Sequence, residues 1–248
     1  NRETGSFILI DPHSNNTVAA GMIRGEVQHE AGIPEEETEE DRARREISPD
    51  VVWEGWNIPL PTREERNEHR AAVVWLTGLP ASGKSTVARV VERRLFEAGC
   101  QTMLLDGDQV RHGLSGDLGF TPEDRRENIR RIGEVAGLFF RQGCVVVCTF
   151  VSPFREDRER ARSLVPEGRF VEVFVDTPLE ECERRDPKGL YARARKGEIA
   201  HMTGLTSPYE EPQEPEIHLE TSGKDADALA DEILDGLRGL GIFPDEED

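Results

Sequence analysis

Gly78-Leu79-Pro80-Ala81-Ser82-Gly83-Lys84-Ser85 carries the glycines, lysine and hydroxyl of a complete phosphate-binding loop. Ahead of it, Ala71-Ala72-Val73-Val74-Trp75-Leu76-Thr77 reads as a buried strand. Behind it, Thr86-Val87-Ala88-Arg89-Val90-Val91-Glu92-Arg93-Arg94-Leu95 has apolar residues at helical spacing. The strand-to-helix setting gives the pattern a mechanism. Glycines let main-chain N–H groups curl around an anion, and the helix N-terminus directs partial positive charge to the same point. Lys84 is placed to reach the β- and γ-phosphates, and the Ser85 hydroxyl to sit on Mg²⁺. A nucleoside triphosphate site is expected over Gly78, Leu79, Pro80, Ala81, Ser82, Gly83, Lys84, Ser85 and Thr86.

Working outward, the stretch from about 51 to 243 alternates strand-like and helix-like runs. That alternation predicts an α/β fold, a P-loop NTPase-type doubly wound and mainly parallel sheet with helices on both faces. Strands are expected at 72–77, 101–105, 144–150 and 170–175. Helices are expected at 84–98, 122–142, 155–164, 178–185 and 225–238. From Asp186 to Glu220 the chain is rich in Gly, Pro and charge, with a short helical pattern near 190–196, and reads as an irregular lid. Before the alternation lie two short strand-like runs, Ser6-Phe7-Ile8-Leu9-Ile10-Asp11 and Thr17-Val18-Ala19-Ala20-Gly21-Met22-Ile23. An acidic linker over about 25–50 follows, and the chain closes on the acidic tail 244–248.

Composition narrows the function classes. The 248 residues carry a net charge of −19, from 50 acidic against 31 basic residues. A surface of that sign argues against a nucleic-acid binder but not against a small anionic substrate held by a local arginine cluster. Cys100, Cys144, Cys148 and Cys182 form no C-x-x-C pair, and no histidine stands near them at zinc-ligand spacing. Cys144 and Cys148 share one face of a strand and read as buried reduced thiols. No apolar stretch approaches the ~20 residues that span a bilayer, and no signal peptide opens the chain, so a cytoplasmic setting is expected.

Further chemistry follows the second strand. Leu104-Leu105-Asp106-Gly107-Asp108-Gln109-Val110-Arg111 puts carboxylates at the carboxyl end of a strand, where doubly wound sheets bind ligands. Asp106 and Asp108 both qualify to orient an attacking hydroxyl or hold metal-bound water, and the turn-former reading suits Asp106 better. Thr121-Pro122 makes a helix start, with Arg125 and Asn128 on one face of its first turns and Phe120 in the loop before it. Arg111 and Arg125 suit bidentate binding of a phosphate or sulfate. Phe120 suits stacking on a base. No N-K-x-D signature follows the loop, which argues against a GTPase.

Taken together, the phosphate loop, Asp106-Gly107-Asp108 with Arg111, and Asp117 to Arg131 resemble adenylylsulfate kinase. So do Phe150-Val151-Ser152-Pro153-Phe154-Arg155, Phe174-Val175-Asp176-Thr177-Pro178, Asp186-Pro187-Lys188-Gly189-Leu190-Tyr191 and Thr206-Ser207-Pro208-Tyr209-Glu210. The ordered set covers about residues 50–220. The resemblance implies ATP- and Mg²⁺-dependent phosphorylation of the ribose 3′-hydroxyl of adenylyl sulfate, a step of sulfate assimilation. It implies that Lys84 and Ser85 serve the ATP phosphates and the metal, and that Asp108 orients or deprotonates the hydroxyl. Arg111, Arg125 and Asn128 then hold the phosphosulfate, Phe120 the adenine, with Val151, Ser152, Lys188 and Met202 also on the substrate side. Ser152 matches a serine described in the family as a phospho-intermediate position; direct in-line transfer makes it a hydrogen-bonding or backbone-shaping residue instead.

Two departures stand out: Pro80-Ala81 where the family often has Ser-Gly, and Met202 where it usually has an aromatic facing Phe120 across the adenine. The second implies weaker or altered substrate affinity. Residues 1–23 resemble the end of the large subunit of sulfate adenylyltransferase, of which fusions to adenylylsulfate kinase are known. That resemblance implies a missing upstream domain and its small subunit as partners; the kinase family implies a homodimer. A related small-molecule kinase and a nucleotide-binding regulatory domain are the alternatives.

Overall fold

The computed structural model describes residues 5–10, 17–23 and 55–243. The linker over 25–50, the turn between the first two strands and the acidic tail lie outside the described residues. The chain divides into two compact units, Asn1–Pro59 and Leu60–Asp248. In the first, β1 (Gly5–Ile10) pairs antiparallel with β2 (Thr17–Ile23), with Phe7 opposite Gly21 and a register shift at Leu9/Ile10.

The second unit holds a five-stranded sheet built from β3 (Ala72–Thr77), β4 (Thr102–Asp106), β5 (Val145–Thr149), β6 (Phe170–Asp176) and β7 (Ile217–Glu220). The strand order is β4-β5-β3-β6-β7, and every pairing is parallel. Every residue of β3 is buried, which is why it reads as a continuous apolar run rather than an alternation. Its side chains nevertheless divide by face. Ala72, Val74 and Leu76 join Val145, Val147, Val171 and Val173 in one core. Val73 and Trp75 join Val146, Cys148 and Phe170 in the other. Cys144 packs against that same second cluster, so the two cysteines do share a face, and all four cysteines are free thiols.

Helices cover both faces. On the first lie α2 (Lys84–Glu97), which buries Val87, Ala88, Val91 and Leu95, and α8 (Ala226–Gly239), which buries Leu229, Ala230, Ile233, Leu234 and Leu237. Each such valine, leucine or isoleucine contributes about 1.5–3 kcal/mol when fully buried. On the second face lies α4 (Pro122–Arg141), burying Ile129, Ile132, Ala136 and Phe140. It starts where the sequence predicts: the Thr121 hydroxyl accepts from Asp124 N–H at 3.2 Å, with Pro122 in the first turn. Next to it lies α5 (Arg155–Arg162).

The remaining helices are short: α1 (Leu60–Asn67), α3 (Gly107–Arg111), α6 (Leu179–Arg185) and α7 (Leu190–Arg195). Two expectations are corrected. The segment read as irregular to Glu220 ends in β7, the edge strand, and helices occur at α1 and α3 where none was predicted. A third apolar cluster, Cys182, Tyr191, Ala194 and Met202, forms the core of a cap beside the sheet. Leu79 and Ala81 of the phosphate loop pack directly against it.

Candidate active site

The loops at the carboxyl ends of β3, β4 and β5 open into one cavity of about 1180 Å³. Parallel strands deliver their C-terminal loops to the same side, and this is where open α/β sheets bind ligands. The lining includes residues 80–86 of the phosphate loop, with Asp106, Asp108, Arg111, Phe120, Arg125, Asn128, Val151, Ser152, Lys188 and Met202. The fold therefore brings together candidate residues spread over more than a hundred positions of sequence. Gly78 and Leu79 lie at the base of the loop rather than in the lining.

The loop geometry is demanding. Gly78 has φ 150°, and a Cβ there would meet Val175 O at 2.6 Å. Gly83, at the start of α2, has φ 102°. Ala81 also adopts a left-handed conformation, φ 62°, where glycine is the unstrained choice. Its methyl lies against the cap cluster, and the Tyr191 hydroxyl donates to Pro80 O at 3.0 Å. Lys84 is buried and donates to Gly78 O at 2.9 Å, Leu79 O at 2.6 Å and Ser82 Oγ at 3.2 Å. Burial pushes its ammonium down to about 7, with the negative charge of Asp106 working the other way. Three acceptors also suit the three hydrogens of the charged form.

Beside the loop, the Ser85 and Thr149 hydroxyls lie 3.4 Å apart, and Thr149 Oγ1 donates to Asp106 Oδ2 at 3.1 Å. Burial alone would raise the Asp106 carboxyl. Hydrogen bonds from Ser85, Asp108 N–H and Thr149 outweigh it and hold the group below the usual carboxylate range. Asp106 also caps α3 by accepting from Asp108 N–H at 3.0 Å. It is thus both turn former and a buried carboxylate at the loop, a dual role that sequence alternation alone did not separate. Asp108 is exposed and ion-paired with Lys188.

On the other side of the cavity, Arg111 sits over the Phe120 ring at 4.3 Å and Arg125 at 5.7 Å. Arg111 donates to Leu118 O and Gly119 O; Arg125 donates to Phe120 O and His201 O. These partners are main-chain carbonyls, whereas Arg130, Arg131, Arg158, Arg162 and Arg169 are ion-paired with carboxylates. Burial lowers both cavity arginines, and in Arg125 the neighbouring Arg111 adds to it. Both remain cationic, since a guanidinium keeps its proton at any ordinary pH. Asn128 is buried, and its Oδ1 has no hydrogen-bond partner. Two half-buried cations suit an anionic ligand, and the unpartnered Asn128 amide oxygen in the same wall suits a hydrogen-bond donor on it.

Ser152 is buried, with φ 38°; its Oγ accepts from Trp75 Nε1 at 3.0 Å and donates to Phe150 O at 3.4 Å. Met202 is buried in the cap cluster, and its carbonyl accepts from the N–H groups of Leu205, Thr206 and Ser207. Sequence reasoning did not single out Thr77, Thr149 or Arg158. Thr77 and Thr149 end strands of unremarkable composition, and Arg158 sits in a charged run that looks solvated.

Fold and site together define a P-loop phosphotransferase of the α/β class, with a second anion-binding wall facing the phosphate loop. The sequence profile of the family described as adenylylsulphate kinase matches residues 70–220, more than half of the chain. A probable adenylyl-sulfate kinase of Bacillus subtilis is 52% identical over 189 residues, covering 76% of this chain and 96% of that one. The bifunctional enzyme NodQ of Azospirillum brasilense is 52% identical over 241 residues, 97% of this chain but 36% of the relative. This chain therefore spans about a third of the length of the NodQ relatives it matches. The Mycobacterium tuberculosis APS kinase CysC, solved in complex with AMPPNP and APS, matches with TM-score 0.65 and 49% identity, over 68% of this chain and 99% of that one. A hexameric APS kinase from Thiobacillus denitrificans matches with TM-score 0.56 and 30% identity, over 83% and 37% respectively. The chain belongs to the adenylylsulphate kinase family. Among the described residues no helix is long and apolar enough to cross a membrane.

Proposed function

We propose that this chain transfers the γ-phosphoryl group of ATP to the ribose 3′-hydroxyl of adenylyl sulfate, giving 3′-phosphoadenylyl sulfate and ADP. One observation carries the reading. The phosphate loop and two arginines whose hydrogen bonds go to main-chain carbonyls, Arg111 and Arg125, line the same cavity together with Asp108. In this reading Lys84 leaves its loop carbonyls to meet the β- and γ-phosphates, while loop amides hold the rest of the chain of phosphates. Asp108 takes the proton of the 3′-hydroxyl as its oxygen bonds to the γ-phosphorus. The bond to the β–γ bridging oxygen breaks, and ADP leaves. Arg111, Arg125 and Asn128 hold the phosphosulfate, and Phe120 stacks on the adenine. Val151, Ser152 and Met202 complete the wall.

The hydroxyls of Ser85 and Thr149 with the ionised Asp106 are hard oxygen donors of the kind Mg²⁺ selects. Ser85 would bind the ion and Asp106 would hold its water. When bound, Mg²⁺ neutralises charge on the phosphate oxygens. A homodimer, an upstream sulfate adenylyltransferase domain with its small subunit, and a cytoplasmic location belong to the same proposal. The NodQ relatives' greater length and the four free thiols support it.

Incubating the purified chain with ATP, Mg²⁺ and adenylyl sulfate tests the proposal. Formation of the 3′-phosphorylated product with equimolar ADP is the expected result. ATP binding without product would point to a regulatory domain, and ADP release with another hydroxyl substrate to a different small-molecule kinase.

A further inference from the structure

Ser152 stands in the cavity wall in a left-handed conformation, φ 38°, which non-glycine residues avoid. The surrounding contacts over-determine it. Behind the wall, the Trp75 indole N–H donates to Ser152 Oγ at 3.0 Å, and Arg158 Nη1 donates to Ser152 O at 2.8 Å. The same guanidinium donates to Glu172 Oε1 at 2.5 Å and Glu210 O at 2.8 Å. The Thr77 hydroxyl donates to Val151 O at 2.8 Å. Trp75, Thr77 and Arg158 are buried, and none of them lines the cavity.

The Thr77 contact sets the direction of the Val151–Ser152 peptide, and Trp75 and Arg158 hold Ser152 itself through its side chain and its own carbonyl. Val151 O is turned toward Thr77 on the sheet, so in a trans peptide the Ser152 N–H points the opposite way. The next residue, Pro153, has no N–H to offer. Strain kept in a ligand-facing wall by buried donors is a pre-organised position, since relaxing it would turn that N–H away.

We propose that Trp75 and Arg158 are positioning residues for the second-substrate wall, fixing the Val151–Ser152 peptide through Ser152 Oγ and Ser152 O. The inference rests on the reading that adenylyl sulfate occupies this wall. Trp75 stacks on Phe150 at 5.6 Å and on Phe170 at 5.8 Å, and a phenylalanine keeps most of that packing while removing the indole donor. The test is a double-mutant cycle of Trp75→Phe and Ser152→Ala in the full chain, with KM measured for both substrates. Trp75→Phe should raise KM for adenylyl sulfate about fivefold, the size of one neutral hydrogen bond, and leave KM for ATP unchanged. In the Ser152→Ala background, which has no Oγ to receive the bond, Trp75→Phe should have no further effect.

An equal effect in both backgrounds, equal rises in both KM values, or no effect at all overturns the proposal. Arg158→Lys keeps a cation beside Glu172 but cannot hold Ser152 O and Glu210 O together, so it should raise the same KM more steeply; a normal KM there also overturns the proposal. Should that variant fail to fold, the tryptophan cycle decides alone. A ligand-free reading separates this idea from the assigned reaction. The ¹⁵N indole N–H signal of Trp75 should shift in Ser152→Ala whether or not the parent phosphorylates adenylyl sulfate. A parent without that activity counts against the assigned reaction, and an unmoved indole signal counts against the clamp.

Discussion

Asp108 and Lys188, eighty residues apart in sequence, are joined by an ion pair on the exposed rim of the cavity. Both side chains are more than half exposed, so the pair adds only about 0–1 kcal/mol and a substrate can displace it readily. In the proposed reaction this carboxylate serves the sugar hydroxyl, and here it is engaged by Lys188. Asp108→Ala should lower kcat by about 10²–10⁴-fold, the range for a lost general base. ATP affinity measured by calorimetry should be unchanged. Turnover at the parental rate would remove Asp108 from the chemistry.

Lys188→Ala should leave thermal stability unchanged, because a rim ion pair contributes so little. The KM for adenylyl sulfate should rise. A fall in Tm larger than about 5 °C, which for a chain of this size exceeds 1 kcal/mol, would mean that Lys188 holds the cap rather than the ligand.

Lys84 gives a pH dependence with a definite sign. Its value in the folded protein, about 7, lies below the ordinary 10.5. Between those values the unfolded chain carries the proton and the ligand-free fold does not, so its contribution to stability rises with pH across that window. Binding ATP reverses this, because phosphate favours the ammonium. Above about pH 7 nucleotide binding should take up a proton and weaken as pH rises. Calorimetry in two buffers of different ionisation enthalpy reads the proton directly, with Lys84→Met as the control that should lose the effect. Lys84→Ala should abolish transfer.

The strained loop positions separate two kinds of substitution. Gly78→Ala places a methyl 2.6 Å from Val175 O at φ 150°, and should lower Tm and eliminate ATP binding. Ala81→Gly relieves about 1–2 kcal/mol of left-handed strain. It also frees the unfolded chain by about 0.4–1 kcal/mol and loses a methyl from the cap contact, so Tm should change little. Thermal melts with and without nucleotide check both.

Met202→Phe weighs burial against recognition. The resemblance to the family expects an aromatic here to tighten the substrate. The side chain, however, lies 4% exposed among Cys182, Tyr191 and Ala194. Enlarging a packed cluster typically costs about 1–3 kcal/mol. The variant should melt earlier than the parent, and Met202→Leu should not. An unchanged Tm for Met202→Phe would show that the cluster has room for the ring.

How far the sequence disclosed this depends on what each element buries. β3, β5, β6 and α2 are legible because they present long apolar runs or a helical stripe, and they appear within a residue or two of their predicted bounds. β7 escaped because it buries only Ile217 and Leu219, directly after a stretch of prolines and glutamates. α1 buries no side chain. It is held by half-buried Leu60 against the second core and by polar contacts, Glu64 to Arg169 and Asn67 to Gly143 O, that leave no periodic signature. α3 is a five-residue turn capped by Asp106, too short to show a period. In the site, residues that face ligand announce themselves by type: lysine in the loop, aspartate at a strand end, arginine near a helix start. The groups behind the cavity wall, Thr149 on Asp106, Thr77 on Val151 O and Arg158 on Ser152 O, are ordinary residues until distant segments meet.

The cap core contains no strand of the sheet; Cys182, Tyr191, Ala194 and Met202 lean instead on Leu79 and Ala81 of the nucleotide cradle. Whatever rearranges that cradle is therefore felt in the cap as a change in fit between greasy surfaces, together with the hydrogen bonds that the Tyr191 hydroxyl donates to Pro80 O and Arg185 donates to Ser82 O. In the proposed reaction, gripping the donor nucleotide and roofing the acceptor are two ends of one mechanical part.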